Sequence, residues 1–489
     1  MATRLERGID WGTKLPDRKV TYGFIPEGDK APSPFGKMTS EGFDAYEKAQ
    51  FKLAFKIFAT FTDLRFRQVE PASNADLYLL TYDGQRTSLG AMGPPGYPGA
   101  SGYGAFNHRG YGWDEDEQGT GGLEQGGYGF VTIIHELGHG LGLAHPHDGG
   151  GTSSVFPGVS GSGNRGRFGL NQGVYTMMSY NDGWETNPAG EPPGYDYGFE
   201  GTPMAIDIAV LQKKYGVNDS YHKGDTTYAL PDVNESGTFY ACIWDAGGRD
   251  IIVNDSDIGS IIDLRAATLK PKPGGGGFLS YADGIFGGFT IAHNVTIEDA
   301  RGGVGDDILI GNAARNRLDG AGGDDQIYGR GGSDRLIGGP DTDRLYGGPG
   351  NDTLVAGAGD DVLKGGRGAD RLIASAGSAT LSGGKGTDIF EFNERPSTEV
   401  LVTIDDFSPG RDLIHLALDA FSSIGALGTL AARAFSAGPA SVPAVRILYD
   451  SHTGVVSLDE DGSGPSAAVS FARLAPGLDL THADFVVVA

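Results

Sequence analysis

The residues with the most definite chemistry lie in one stretch, His135-Glu136-Leu137-Gly138-His139-Gly140-Leu141-Gly142-Leu143-Ala144-His145. On a helix, positions i and i+4 share a face, so His135 and His139 can turn both imidazoles toward one ion. Glu136 then stands beside that ion without ligating it, which suits a general base acting on water. A continuing helix cannot carry a third nitrogen to the same point, so the chain must turn at Gly142, where glycine permits the left-handed conformation. His145 completes a set of three nitrogen ligands with a fourth position open to water, the catalytic and not the structural pattern for zinc. Zinc held this way lowers the pKa of its water toward ~7 and polarises a carbonyl. Glu136 takes the proton and passes it to a leaving amine. A bare His-Glu-x-x-His arises by chance, but with the glycine and the third histidine added it rarely does. His147 lies close by, yet three histidines leave it no vacancy, and it reads as a solvated loop residue.

A second constellation is a nine-residue period that opens at Gly302 and holds its register for ten units, through Glu391. Glycines such as Gly303 and Gly305 let each six-residue loop turn with its carbonyls inward, and the sixth position adds a carboxylate. Such hard oxygens suit calcium. With two units per turn, the sixth positions form two stacks. One holds Asp307, Asp325, Asp343, Asp361 and Ala379, and the other Asn316, Asp334, Asp352, Asp370 and Asp388. Ala379 removes a carboxylate and should weaken a terminal site. The eighth position is apolar from Leu309 to Phe390, which gives each short strand one side chain for an interior.

These sites need elements to position them. Lys19–Phe24, Leu64–Val69 and Leu77–Tyr82 read as strands, and Phe43, Tyr46, Leu53, Ile57 and Phe61 keep helical spacing. Ser88 to Gly127 is glycine-rich loop apart from a short strand at Gly104–Asn107, the expected edge on which an extended substrate pairs. Ile134, Leu137 and Leu141 seat the histidine helix in a core. A later helix is expected to be capped by Thr202, with Pro203 in its first turn, and to end at Gly216.

The bulk composition narrows the function classes. A chain of 489 residues exceeds one ordinary core, and its 83 glycines fall in register, which points to repeated turns and away from disorder. A net charge of −25 argues against nucleic acid and anionic membranes as partners. The single cysteine, Cys242, allows no intrachain disulfide, so rigidity must come from elsewhere, with metal ions the obvious source. Met1 to Val20 holds no apolar run of signal-peptide length, and no segment is long enough to span a bilayer.

Two more features complete a pattern that resembles the serralysins, metzincin proteases that carry RTX repeats. Pro146 follows the third histidine, and Tyr175-Thr176-Met177-Met178-Ser179-Tyr180 is similar to their Met-turn. The resemblance implies that Met178 packs beneath the zinc. It implies that Tyr180 is a further zinc ligand, which swings away on substrate binding and then stabilises the oxyanion. The implied fold is a mixed α+β metzincin catalytic domain followed by an all-β parallel β-roll that binds calcium. Gly224-Asp225-Thr226 and Trp244 to Asp250 resemble the family's junction calcium site, with Gly224, Thr226, Asp245, Gly247 and Asp250 as ligands, and Thr296 with Glu298 resembles another. The likeness runs from about Arg18 to Gly386. The ending Asp484-Phe485-Val486-Val487-Val488-Ala489 is similar to the family's type I secretion signals.

The expected organisation is an N-terminal segment (1–17), a zinc protease domain (18–220), a calcium-binding roll with its junction (221–391, repeats 302–391) and a β-rich region bearing the secretion signal (392–489). The expected function is that of a secreted, monomeric zinc endopeptidase with one catalytic zinc and several calcium ions. It would act on proteins and peptides, be exported by type I machinery without an N-terminal signal peptide, and insert in no membrane. The rival readings are a catalytically inactive RTX calcium-binding or adhesive protein, an astacin-like metzincin, and calcium binding as the main role. Intact His135, Glu136, His139, His145 and Tyr180 oppose the first, and Pro146 with the repeats opposes the second.

Overall fold

The computed structural model describes residues 2–113, 121–440 and 442–489. The chain forms two compact units: Met1–Thr226, Leu230–Asp250 and Arg265–Thr296 in the first, and Thr227–Ala229, Ile251–Leu264 and Ile297–Ala489 in the second. No helix among the described residues is long and apolar enough to cross a membrane.

In the first unit, β1 (Lys19–Phe24), β4 (Arg65–Gln68), β5 (Leu77–Tyr82), β6 (Gly90–Met92) and β7 (Tyr103–Asn107) form one sheet in the order β4-β1-β5-β7-β6. β1, β4, β5 and β7 pair in parallel, and β6 runs antiparallel to β7. Gly104–Asn107 is therefore an inner strand, and the edge is β6. The glycine-rich composition around Gly90 hid this strand, because a three-residue edge strand carries no alternating pattern. A hairpin of β2 (Lys30–Ser33) and β3 (Gly36–Thr39) precedes α2 (Ala45–Phe61). That helix begins with a reciprocal capping box of Asp44 and Glu47 and buries Phe51, Ala54, Phe55 and Phe58.

The histidines sit on α3 (Tyr128–Gly140), whose residues Phe130, Ile133, Ile134 and Leu137 are fully buried. It ends where expected: Gly142 has φ +92°, and a Cβ there would meet the Thr13 carbonyl oxygen at 2.3 Å. The next helix, α4 (Ala205–Tyr215), starts two residues later than the sequence suggests. Asp207, not Thr202, satisfies its first turn, by accepting the Met204 N–H at 2.8 Å. Thr202 instead accepts the Cys242 N–H at 3.0 Å, so tertiary demand overrode the local capping signal. The N-terminal segment holds α1 (Arg4–Ile9), which packs on α4 with Leu5 and Ile9 fully buried. Beyond it, the Ile9 carbonyl accepts the Ala144 N–H at 2.9 Å and the Trp11 N–H reaches the Gly142 carbonyl at 3.1 Å. This segment thereby braces the turn that carries the third histidine.

In the second unit, two long parallel sheets run through the repeats. Strands eighteen residues apart stack in register, Leu309 on Ile327 on Leu345 in one sheet and Leu318 on Leu336 on Leu354 in the other. Every eighth-position side chain from Leu309 to Phe390 is fully buried, so each sheet contributes one file of apolar side chains to the interior. Pairing does not stop with the repeats. Leu413–Ala417 pairs in parallel with Ile389–Phe392, and Phe485–Val488 pairs with Leu413–Ala417 in turn.

Candidate metal centre and catalytic site

Three imidazoles converge at the C-terminal end of α3. His145 Nε2 lies 3.2 Å from His135 Nε2 and 2.9 Å from His139 Nε2. Each ring is fixed through its other nitrogen: His135 Nδ1 to the Met177 carbonyl at 2.8 Å, His139 Nδ1 to the Leu143 carbonyl at 3.0 Å, and His145 Nδ1 to Asp148 Oδ2 at 2.7 Å. Those acceptors require the proton on Nδ1, which leaves the three Nε2 lone pairs facing one another. Lone pairs that close repel unless a cation lies between them, so the donor set fits a zinc ion. Burial, then the neighbouring imidazole of His145, pushes His139 down to about 3, and burial and the other two imidazoles push His135 the same way. Both rings are thus neutral, as ligands must be.

Glu136 is buried, with Oε2 unpartnered. Burial pushes its carboxyl up to about 8, against a hydrogen bond from the Met92 backbone that favours the charged form. It therefore lies between α3 and the edge strand β6. Tyr180 is 53% exposed, its ring 4.7 Å from that of His145 and 5.6 Å from that of His135. Burial, then the Glu136 charge, raises its hydroxyl to about 12, so it stays a donor. Met178 is fully buried under α3, where a Cβ on Gly138 would come within 2.9 Å of its sulfur. His147 departs from the solvated residue the sequence suggested. It is half-buried, stacked on His145 at 4.8 Å and set 4.7 Å from the Tyr180 ring.

Two residues that sequence reasoning missed position this site. Asp148 orients His145, and its signal was only an acidic group three residues after a ligand. Fully buried Asp207 accepts from Thr176 Oγ1 at 2.6 Å and from the Met177 and Met204 N–H groups at 2.8 Å each. It locks the turn whose Met177 carbonyl orients His135.

In the roll, the sixth-position aspartates act as two-ended clamps. One oxygen accepts the backbone N–H of the residue eighteen positions earlier, at 2.8–3.0 Å in each pair from Asp307→Asp325 to Asp370→Asp388. The other, Oδ2 of Asp325, Asp334, Asp343, Asp352, Asp361, Asp370 and Asp388, is buried without a partner. A Cβ at Gly320 would fall 2.1 Å from Asp325 Oδ2 and 2.7 Å from the Gly338 carbonyl, so carboxylate and carbonyl oxygens share one cradle. Orphaned hard oxygens of this kind fit calcium. Burial drives the carboxyls up, Asp325 to about 8 and Asp334, Asp343 and Asp370 to about 7, with like charges of neighbouring aspartates adding to the rise.

The first rungs differ. Asp307 Oδ1 accepts from Ser260 and Asn254, and its Oδ2 accepts the Gly303 N–H. Asn316 bonds to Asn312 and the Glu298 carbonyl. Gly305 packs against Gly259. At the far end, Asp412 takes the Asp388 N–H at 3.1 Å, and Asp406 takes the N–H groups of Gly383 and Gly384. Sequence reasoning missed both, because a spacing of 24 breaks the nine-residue period.

At the junction, the Thr226 N–H donates to Asp250 Oδ1 at 2.8 Å, Thr226 Oγ1 donates to the Gly224 carbonyl at 2.9 Å, and Asp245 accepts the Gly247 N–H at 2.8 Å. Gly248 lies against Gly224, which joins the two segments. Thr296 falls in the first unit and Glu298 in the second.

The architecture and the histidine site together define a metzincin-like mixed α/β unit followed along the chain by a parallel β-roll. Residues 35–164 match the matrixin family model, and residues 212–487 match that of the serralysin C-terminal domain of peptidase family M10. The second match spans more than half of the chain, which belongs to the serralysin family. It is 31% identical over 344 residues to metalloprotease AprA of Pseudomonas entomophila, covering 64% of this chain and 63% of that protein. Serralysin of Proteus mirabilis is 30% identical over 61% of this chain and 60% of its own length. Serralysin A of Dickeya chrysanthemi is 32% identical over 60% and 58%. The chain thus spans about three fifths of the length of these relatives.

Proposed function

We propose that this protein is a secreted zinc endopeptidase whose roll folds around calcium. The carrying observation is the convergence of three Nε2 atoms, each ring pinned through Nδ1, beside the buried carboxylate of Glu136. His135, His139 and His145 would hold the ion, with the Tyr180 hydroxyl close enough to join them. Zinc would supply Lewis acidity to a water and to the scissile carbonyl. Glu136 removes the water's proton and returns it to the leaving nitrogen. The Tyr180 hydroxyl donates to the developing oxyanion. An extended substrate lies along β6, the free edge beside α3, and is held chiefly through backbone hydrogen bonds.

The unpartnered Oδ2 atoms support calcium in the roll, and a roll that folds around calcium supports a role outside the cell, where calcium is plentiful. Export by type I machinery rests on the C-terminal resemblance. The test of the catalytic reading is stripping with 1,10-phenanthroline in calcium buffer, followed by zinc titration against casein. Activity should vanish and return with one equivalent of zinc per chain. Full activity in the stripped protein would overturn the reading.

A further inference from the structure

A pocket of about 400 Å³ opens directly beside the catalytic groups, with His135, Glu136 and Tyr180 on its rim. Its walls are Leu89 from the approach to β6, Val131 and Thr132 from α3, Tyr128 from the start of α3, the hairpin residue Phe35, and Asp182. The first five offer apolar and aromatic surface. Thr87 and Ser88 add hydroxyls to the lining, and Asp182 is its one carboxylate besides Glu136. Asp182 accepts a hydrogen bond from the Tyr128 hydroxyl, and the charges beside it are two further carboxylates, Glu185 and the buried Glu200. No lysine or arginine lines the pocket among the described residues. A negative group left in a cleft without a cation is a recognition element in want of its partner.

Which substrate residue would enter follows from the chemistry. Glu136 must deliver a proton to the leaving nitrogen, so that nitrogen lies on the Glu136 side of the scissile bond. The side chain on the adjoining Cα, that of the residue released with the new amine, then drops into the pocket that Glu136 borders. A long side chain with a methylene stem and a cationic head matches these walls. The stem lies along Leu89 and Val131, the head passes the rings of Tyr128 and Phe35, and the charge ends on Asp182. A guanidinium can use both carboxylate oxygens at once, whereas an ammonium uses one.

We propose that Asp182 makes the enzyme select arginine, and after it lysine, at the residue that contributes the leaving amine. This rests on the endopeptidase reading above and deepens it by naming the substrate class.

The test is cleavage-site profiling of a mixed peptide library by the zinc- and calcium-loaded full chain, followed by kinetics on two peptides that differ only in arginine or leucine at that position. Wild type should favour arginine by about tenfold or more in kcat/KM, with the ratio falling as salt rises. Asp182→Asn should bring the arginine-to-leucine ratio of kcat/KM near one. Tyr128→Phe keeps the charge and should keep the preference for arginine. Equilibrium binding of the two peptides to zinc-free, calcium-loaded protein should show the same loss in Asp182→Asn. If that variant fails to fold, the salt dependence in wild type still decides, and an arginine preference that does not fall as salt rises overturns the inference. Cleavage with no arginine preference, or a ratio unchanged by Asp182→Asn, overturns the inference and leaves the endopeptidase reading standing. No cleavage of any library member by zinc-loaded protein sinks both.

Discussion

In the proposed zinc site, Asp148 sets His145 through the ring nitrogen that faces away from the other two imidazoles. The carboxylate 2.7 Å from Nδ1 fixes the tautomer and the orientation of the ring. Asp148→Ala is therefore expected to weaken zinc binding by about 10–100-fold, read by competition with a chelating dye. Unchanged affinity would mean the ring is held by packing on His147 instead. Tyr180→Phe should lower kcat more than it raises KM, because its hydroxyl acts on charge that develops only in the transition state. An unchanged kcat would remove Tyr180 from the reaction. At this scale the sequence was most legible where residues cluster. The spacing of His135, Glu136, His139, Gly142 and His145 encodes its own helix and turn. Asp207 was illegible, because its tie to Thr176 spans 31 residues and nothing local announces it.

Among the elements, the repeat loops were read almost whole and the edge strand was not. A nine-residue period states its own geometry. β6 has three residues, two of them half-exposed, and owes its existence to pairing with β7. The same logic governs the stacks. Asp343 lies mid-stack, clamping the Asp325 N–H while its own N–H is clamped by Asp361. Asp388 lies at the end of the other, although Asp412 extends that ladder by one rung. Asp343→Ala should raise the calcium midpoint and blunt cooperativity more than Asp388→Ala, since it disturbs loops on both sides. Far-UV circular dichroism against free calcium checks this. Equal effects would show that Asp412 makes the end rung behave as an interior one.

For the whole molecule, calcium and pH should act in opposition on the roll. Without calcium, buried aspartates carry folded-state pKa values near 7, above the ~3.9 of an unfolded chain. Each such group leaves folding unpenalised below about pH 4. It then subtracts stability as pH climbs through the folded value, because the unfolded chain has already ionised and the folded one resists. Calcium-free protein should thus hold more β structure at pH 5 than at pH 8, and calcium at pH 8 should restore it. Less structure at pH 5 than at pH 8 would contradict the burial of these carboxyls. The C-terminal strand belongs to the same structure: Phe485 and Val487 are buried and paired to Leu413–Ala417. The sequence marked the tail from 392 as separate because the glycine period ends there, yet hydrogen bonding carries the sheet onward without glycine loops.

The central claim is that Glu136 moves the proton while the three histidines hold the metal, and one substitution separates the two. Glu136→Gln keeps the size and shape of the side chain and removes its basicity. Zinc content and peptidase activity should be measured on the same preparation. The expected result is one zinc per chain, as in wild type, with kcat/KM lower by about 10²–10⁴-fold or more. Activity within tenfold of wild type in fully zinc-loaded Glu136→Gln protein would contradict the assignment.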